Sequence, residues 1–365
     1  MASQIYLDWN ASAPLADSAR AAMAHAFGMA GNPSSVHAAG RAARKLVEDA
    51  RIAIAETAGA GEARIVFTGG GTEANALALN GFAADECLMS AVEHDCVWTK
   101  LAGAGVVPVD ANGTVDLREF ERLLAERKPK LVAVMLANNE TGAIQPVAEI
   151  ARLAHGAGAR VHCDGVQAFG RIPVDFAALG VDTMAVSAHK IGGPQGVGAL
   201  VARKGAVLQP LVAGGGQEQG LRAGTQNVAG IAGFAAAARV TAPMSPALRD
   251  RLETALRETY VGCVIHAAGA PRLPNTSCIG MPGVPAQTQV MALDLGGFAV
   301  SAGAACSSGK VKASRTLAAM GAGSGAGEAI RVSLGPTTTQ NEIDEFARAW
   351  TALAMRLAPL PAAAA

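Results

Sequence analysis

"KLVAVMLANNETGAIQPVAEIARLAHGAGARVHCDGVQ", residues 130–167, carries the pattern that decides the fold. It opens on an apolar run and turns through Asn138, Asn139, Glu140 and Gly142. Apolar residues then recur three and four apart over 146–157, and a second apolar run begins at Ala159. The middle spacing is that of an amphipathic helix. The flanking runs are short and apolar enough for strands covered on both faces. Strand, helix and strand in succession make the crossover that joins parallel strands.

The same alternation extends in both directions. Apolar runs occur in "ARIVFTGGG" (63–71), "ECLMSAVEH" (86–94), "GVVPVD" (105–110), "DTMAVSAHK" (182–190) and "GVGALVAR" (196–203). Helical periodicity predicts helices over 38–59, 72–83, 95–104 and 116–127. The expected fold is α/β, with a mostly parallel sheet in a large domain. The rhythm breaks at "VTAPMSPALRD" (240–250), where two prolines mark a boundary. A new helix is expected there, capped by Ser245 with Pro246 at its first position. Beyond it, "CVIHAA", "NTSCIGM", "FAVSAG" and "AIRVSLG" alternate with expected helices over 286–295, 311–320 and 340–356. This predicts a smaller α+β domain. The expected division is 14–243 for the large domain, and 1–13 with 244–365 for the small one. The glycine-rich 321–329 reads as a flexible loop and the "LPAAAA" ending as a disordered tail.

Composition narrows the function. Half the residues are hydrophobic and 16% are charged, which suits a compact enzyme and excludes a disordered chain. The 30 basic side chains balance the 30 acidic ones without a basic block, so no nucleic-acid partner is expected. The N-terminus lacks a signal-peptide pattern, and no apolar run reaches the roughly 18 residues of a membrane span. A cytoplasmic location without a membrane partner follows as the expectation, and disulfides are not expected there. Cysteines stand at 87, 96, 163, 263, 278 and 306, none in a C-x-x-C pair, so no metal site is expected.

The polar residues of interest follow the apolar runs, where ligands bind in open α/β sheets. In "TGGGTEAN" (68–75) glycines and a helix start could close around a phosphate, or form a plain turn capped by Thr72. Asp164 could cap a helix, or hold a protonated ring nitrogen. His94 could start a helix, or lie flat on a planar cofactor. Asn139 and Gln167 could cap turns, or bond a phenolate oxygen. Lys190 follows an apolar strand and precedes Gly-Gly-Pro. A lysine desolvated there loses proton affinity and can form a Schiff base. Phosphate turn, aspartate, histidine and lysine together fit pyridoxal 5′-phosphate.

In this order the motifs resemble the cysteine desulfurases of the class V aminotransferase family, which have the fold type I of pyridoxal-phosphate enzymes. The resemblance runs from "YLDWNASAPL" through "GNPSSVHAAGR", "FTGGGTEAN", "EHDCV", "ANNETGAIQP", "HCDGVQAFG" and "SAHKIGGPQGVGAL" to "GGGQEQGLRAGTQN", "SAGAACSSG" and "IRVSLG". It implies that Lys190 carries the cofactor as a Schiff base. It implies that Asp164 pairs with the ring nitrogen, Gln167 with the phenolate oxygen, and that His94 stacks on the ring. Gly71, Thr72, Ser187 and His189 would hold the phosphate. Thr225 would reach the phosphate of the other subunit of a homodimer. Asn139 and Arg331 would hold the substrate carboxylate, with Asn139 also beside the cofactor. Cys306 would take sulfur from L-cysteine as a persulfide, leaving L-alanine, and pass it to a protein acceptor or iron–sulfur scaffold. A transient iron–sulfur contact at Cys306 is the only metal chemistry implied. Lys310 and Lys312 near Cys306 would favour its thiolate.

Pro336 stands where relatives often carry arginine or a bulky residue, and the C-terminal tail is short. Two rival readings remain. A selenocysteine lyase or other class V lyase would keep activity without Cys306. A non-catalytic sulfur-relay subunit would not bind the cofactor. His37 is expected to cap or pack; His25, His155, His162 and His266 are expected to be structural. Lys128 and Lys130 around Pro129 are expected in a solvated turn.

Overall fold

The computed structural model describes residues 4–303 and 313–358. Thirteen strands occur among the described residues: β1 Ile5–Tyr6, β2 Arg64–Thr68, β3 Cys87–Ser90, β4 Gly105–Val107, β5 Leu131–Met135, β6 Arg160–Asp164, β7 Thr183–Ser187, β8 Gly198–Ala202, β9 Val264–His266, β10 Thr276–Gly280, β11 Phe298–Ala299, β12 Ser301–Ala302 and β13 Ala329–Ser333. Seven of them form the large sheet, in the order β2-β8-β7-β6-β5-β3-β4. The β3, β4, β5, β6 and β7 strands are parallel, and β8 runs antiparallel to β7 and β2. Every residue of β3, β5, β7 and β8 is buried, as apolar runs of this kind require. The crossover read from 130–167 is present, with its helix at Val147–Gly156 between β5 and β6.

Helices cover both faces of this sheet. Ala38–Thr57 buries Ala43, Val47, Ala50 and Ile54 along one stripe and packs on the helix Val228–Arg239. His37 caps it, its Nδ1 accepting from the Gly40 amide at 3.3 Å. Phe169 and Phe234 meet edge-on in the main core with ring centres 6.1 Å apart. Burying an aromatic side chain of this size contributes about 1.5–3 kcal/mol.

A second core gathers Leu7, Leu252, Leu256, Ile279, Ile330, Phe346 and Trp350 around the sheet β12-β13-β10-β9. The N-terminus belongs with it, because β1 pairs in parallel with β11. The helix Gln340–Leu357 closes this core and starts on a reciprocal cap between Thr339 and Glu342. Leu273, from the stretch after the expected boundary, packs into the first core. No described helix is long and apolar enough to cross a membrane.

Five local expectations need correction or refinement. Residues 321–329 are not an open loop: Gly323–Gly327 forms a 3₁₀ turn with Ala326 buried against Leu317 and Ala329. The Ala326 carbonyl also accepts from the Ser314 amide at 2.7 Å. The helix expected over 311–320 spans Arg315–Ala319 among the described residues, capped by Ser314. "FAVSAG" makes two short strands, because Val300 carries the chain from one sheet into the other. Thr72 is not a cap; the helix Gly71–Leu79 begins one residue earlier, after Gly70. The helix expected after Ser245 spans Ala247–Thr259 with Pro246, not Ser245, at its N-cap, although the Ser245 Oγ accepts from the Ala247 amide at 3.3 Å.

Candidate active site

The parallel strands all point their carboxyl ends at one edge. Asp164 ends β6 and Ser187 ends β7. His94 follows β3, and Asn139 follows β5. This edge carries a cavity of about 250 Å³. Gly71, Thr72, His94, Asn139, Asp164, Gln167, Ser187, His189 and Lys190 all line it.

One wall is the turn after β2. Gly198 on the antiparallel β8 lets that turn approach, because a Cβ there would stand 2.6 Å from the Gly70 carbonyl carbon. At Gly71 a Cβ would meet Val166 at 2.7 Å and the Ser187 Cβ at 3.4 Å. The two glycines thus bring the start of the helix Gly71–Leu79 against Ser187. The Ser187 Oγ is buried and has no hydrogen-bond partner among the described residues. A buried hydroxyl in that state is costly unless a ligand atom meets it.

Lys190 lines the same cavity. Its Nζ donates to the carbonyl oxygens of Asn10 at 2.7 Å and Ala11 at 2.9 Å. Burial, with help from Arg331 and Arg171, pushes its ammonium down to about 7, against the pull of Asp8 and Asp164. The amine is therefore substantially neutral near neutral pH and can act as a nucleophile. His189 is pushed down to about 4, by burial first and then by Lys190 and Arg171. It is a neutral imidazole, its Nδ1 at 3.3 Å from the Ser12 hydroxyl.

Asp164 is buried, with Oδ2 accepting from Asn75 Nδ2 at 2.8 Å and Oδ1 from the Val166 amide at 3.0 Å. His94 caps the helix Asp95–Lys100 through Nδ1 and lines the cavity. Gln167 is buried, its Nε2 donating to the Asn10 carbonyl at 3.1 Å and its Oε1 accepting from Arg171. The turn-capping side chain is Asn138, not Asn139; Asn138 Oδ1 accepts from the Glu140 and Thr141 amides, both at 2.9 Å.

Arg331 on β13 reaches this edge from the second core. It is buried, pairs with Asp8 at 2.8 Å and donates to the Asn139 carbonyl at 3.1 Å. Thr225 is exposed and does not line the cavity. Cys306, with Lys310 and Lys312, lies outside the described residues.

Sequence reasoning missed three supports. Asn75 links Asp164 to His162, whose Nε2 lies 2.7 Å from Asn75 Oδ1. Burial pushes His162 down to about 3, so its neutral ring can fix the Asn75 amide and aim the amide nitrogen at Asp164. Glu93 is buried and pushed up to about 8 by its desolvation, so it adds no second negative charge beside Asp164 at neutral pH. Asp8 holds Arg331. Each stood inside a quoted motif, Asn75 in "TGGGTEAN", Glu93 in "EHDCV" and Asp8 in "YLDWNASAPL", but nothing in those motifs gave its partner.

Comparison with known proteins agrees with this architecture. The chain is 41% identical to a cysteine desulfurase of Cereibacter sphaeroides, covering 94% of both chains. It is 37% identical to an IscS-like cysteine desulfurase of Mycobacterium tuberculosis, covering 93% of each. The solved NifS-like protein of Rickettsia africae superposes with a TM-score of 0.89 at 36% identity, over 96% of this chain and 99% of that one. The family described as aminotransferase class-V matches residues 5–346. A match of that extent, with an amine, a carboxylate and an anion cradle on one sheet edge, makes this chain a member of the class V aminotransferase family.

Proposed function

We infer that this chain is a cysteine desulfurase that uses pyridoxal 5′-phosphate to take sulfur from L-cysteine, leaving L-alanine. The observation that carries the reading is a single cavity lined both by Lys190, an amine with depressed proton affinity, and by the turn of Gly71 and Ser187. The fit to the cofactor is chemical. The unpartnered Ser187 hydroxyl and the start of the helix Gly71–Leu79 suit a phosphate. Asp164, held by Asn75, suits a protonated ring nitrogen. Thr72 and His189 complete the phosphate site, Gln167 takes the phenolic oxygen, and His94 covers the ring.

When bound, pyridoxal phosphate takes up the electron pair left at the substrate's α-carbon. The other work belongs to this chain's residues. Lys190 Nζ is the base that receives the α-proton and later returns it. Arg331 and Asn139 hold the substrate carboxylate and so fix which bond at the α-carbon faces Lys190. The Cys306 sulfur attacks the substrate sulfur, and the bond from that sulfur to the β-carbon breaks. Cys306 is left as a persulfide for a protein acceptor or an iron–sulfur scaffold. We propose a homodimer in which Thr225 serves the partner's phosphate; its exposure and its distance from this cavity support that role. We also propose the division 14–243 and 1–13 with 244–365, supported by the two cores. A cytoplasmic location is part of the same reading.

The test is incubation with L-cysteine and a reductant, with sulfide and alanine measured for wild type and Cys306→Ala. Sulfide should fall by at least about a hundredfold in the variant, as expected when a covalent nucleophile is lost. Equal sulfide from both proteins would remove the persulfide step and favour a lyase.

A further inference from the structure

Arg171 is 5% exposed and has no carboxylate partner among the described residues. Its guanidinium is satisfied by neutral oxygens alone. Nη1 donates to the Gln167 carbonyl at 3.3 Å and to Gln167 Oε1. Nη2 donates to the carbonyls of Trp9 and Lys190, both at 3.1 Å. A buried cation without a counter-ion is expensive to keep. The contacts show what it provides. A guanidinium has donors only, so the side-chain oxygen of Gln167 must face it. The Gln167 nitrogen is thereby turned the other way, and it shares the Asn10 carbonyl with Lys190 Nζ, at 3.1 and 2.7 Å. The Asn10 carbonyl, an acceptor only, asks for the same orientation, so Arg171 and Asn10 hold the Gln167 amide from its two ends.

We propose that Arg171 is a positioning residue, a buried cation that turns the Gln167 amide so that its nitrogen faces Lys190 and the phenolic oxygen of the cofactor. This rests on the assignment of Gln167 under the proposed function. The same positive charge stands against the backbone of Lys190. The charged groups that face Lys190 are Arg331 from β13, Asp8 after β1, Asp164 at the end of β6, and Arg171 itself, with neutral His189 adjacent in the chain. Arg171 and Arg331 disfavour a proton on the amine; Asp8 and Asp164 favour one. An amide nitrogen at the phenolic oxygen stabilises its ionised form, which lowers the proton affinity of the linked nitrogen of Lys190.

Two readouts test the proposal. One is the visible absorbance of the cofactor-loaded protein against pH. The other is the rate at which trinitrobenzenesulfonate labels Lys190 in the cofactor-free protein, mapped by peptide mass and followed against pH. R171Q replaces a donor-only cation by an amide that can offer either an oxygen or a nitrogen. Its midpoint should rise by about one pH unit in both readouts. R171K keeps a donor-only cation and should stay near wild type. A folded R171Q with wild-type midpoints in both readouts overturns the proposal, as does an R171K displaced as far as R171Q. If R171Q does not fold, Q167L carries the test with Arg171 retained. Its absorbance midpoint should rise by a similar amount, and an unchanged midpoint overturns the proposal. Borohydride reduction that leaves Lys190 unlabelled in loaded wild type would instead break the functional reading. The cofactor-free titration would still decide whether Arg171 sets the state of Lys190.

Discussion

Arg272 meets Glu253 through both prongs of its guanidinium, at 2.7 and 2.8 Å, and Ser277 donates to the same carboxylate at 2.8 Å. Arg331 meets Asp8 through one nitrogen at 2.8 Å, while Asp8 turns its other oxygen to Ser301 at 2.7 Å. The Arg331 Nε is buried and has no partner among the described residues. Both arginine side chains are nearly inaccessible, at 6% and 5%. The difference lies in what remains to be bonded. The first pair is closed on itself and ties the helix Ala247–Thr259 to β10. The second holds its cation in place yet leaves the Nε of Arg331 without a partner among the described residues. A buried ion pair with its valences filled is a fastening, whereas one with a donor left over can also take a ligand.

That contrast can be broken by mutation. The largest effect expected is on stability. Arg272→Met strands the buried Glu253 carboxylate and should cost about 3–5 kcal/mol in chemical unfolding, with kcat/KM for L-cysteine unchanged in the fraction that stays folded. Arg331→Lys should do the reverse. It keeps the charge and loses the planar fork, so kcat/KM should fall by about a hundredfold while the bound cofactor's absorbance is retained. If Arg331→Lys destabilises as much as Arg272→Met and spares kcat/KM, the distinction fails.

The last effect is a slope with pH rather than a single loss. Lys190 has its folded proton affinity lowered to about 7 from 10.5. Between those values the unfolded chain holds a proton that the folded one lacks, so stability must rise with pH across that window. Below about pH 7 both states are protonated and this contribution levels off. In the cofactor-free protein, wild type should gain on Lys190→Met in thermal unfolding as pH rises from about 7 towards 10. Parallel curves for the two proteins would mean that Lys190 is not desolvated.

The large sheet was readable because its signal is local. The run before Asn138 and the run after Gly158 both read as strands, and both are strands. Lys190, Asp164 and Ser187 were marked by standing at strand ends. The errors came where glycine content stood in for structure. Residues 321–329 read as open chain, but one alanine among the glycines found a core to bury in.

By itself the sequence determined the alternation of strands and helices and the edge at which the polar residues collect, because side-chain period and strand direction act over a few neighbours. Only the tertiary structure decided which of those residues are charged, neutral or left without a partner. Asp8 and Arg331 are 323 residues apart, Asn75 and His162 are 87 apart, and Arg171 reaches a carbonyl of Trp9 162 residues away. Desolvation and charge pairing depend on what folding brings within a few ångströms, and no local spacing encodes that.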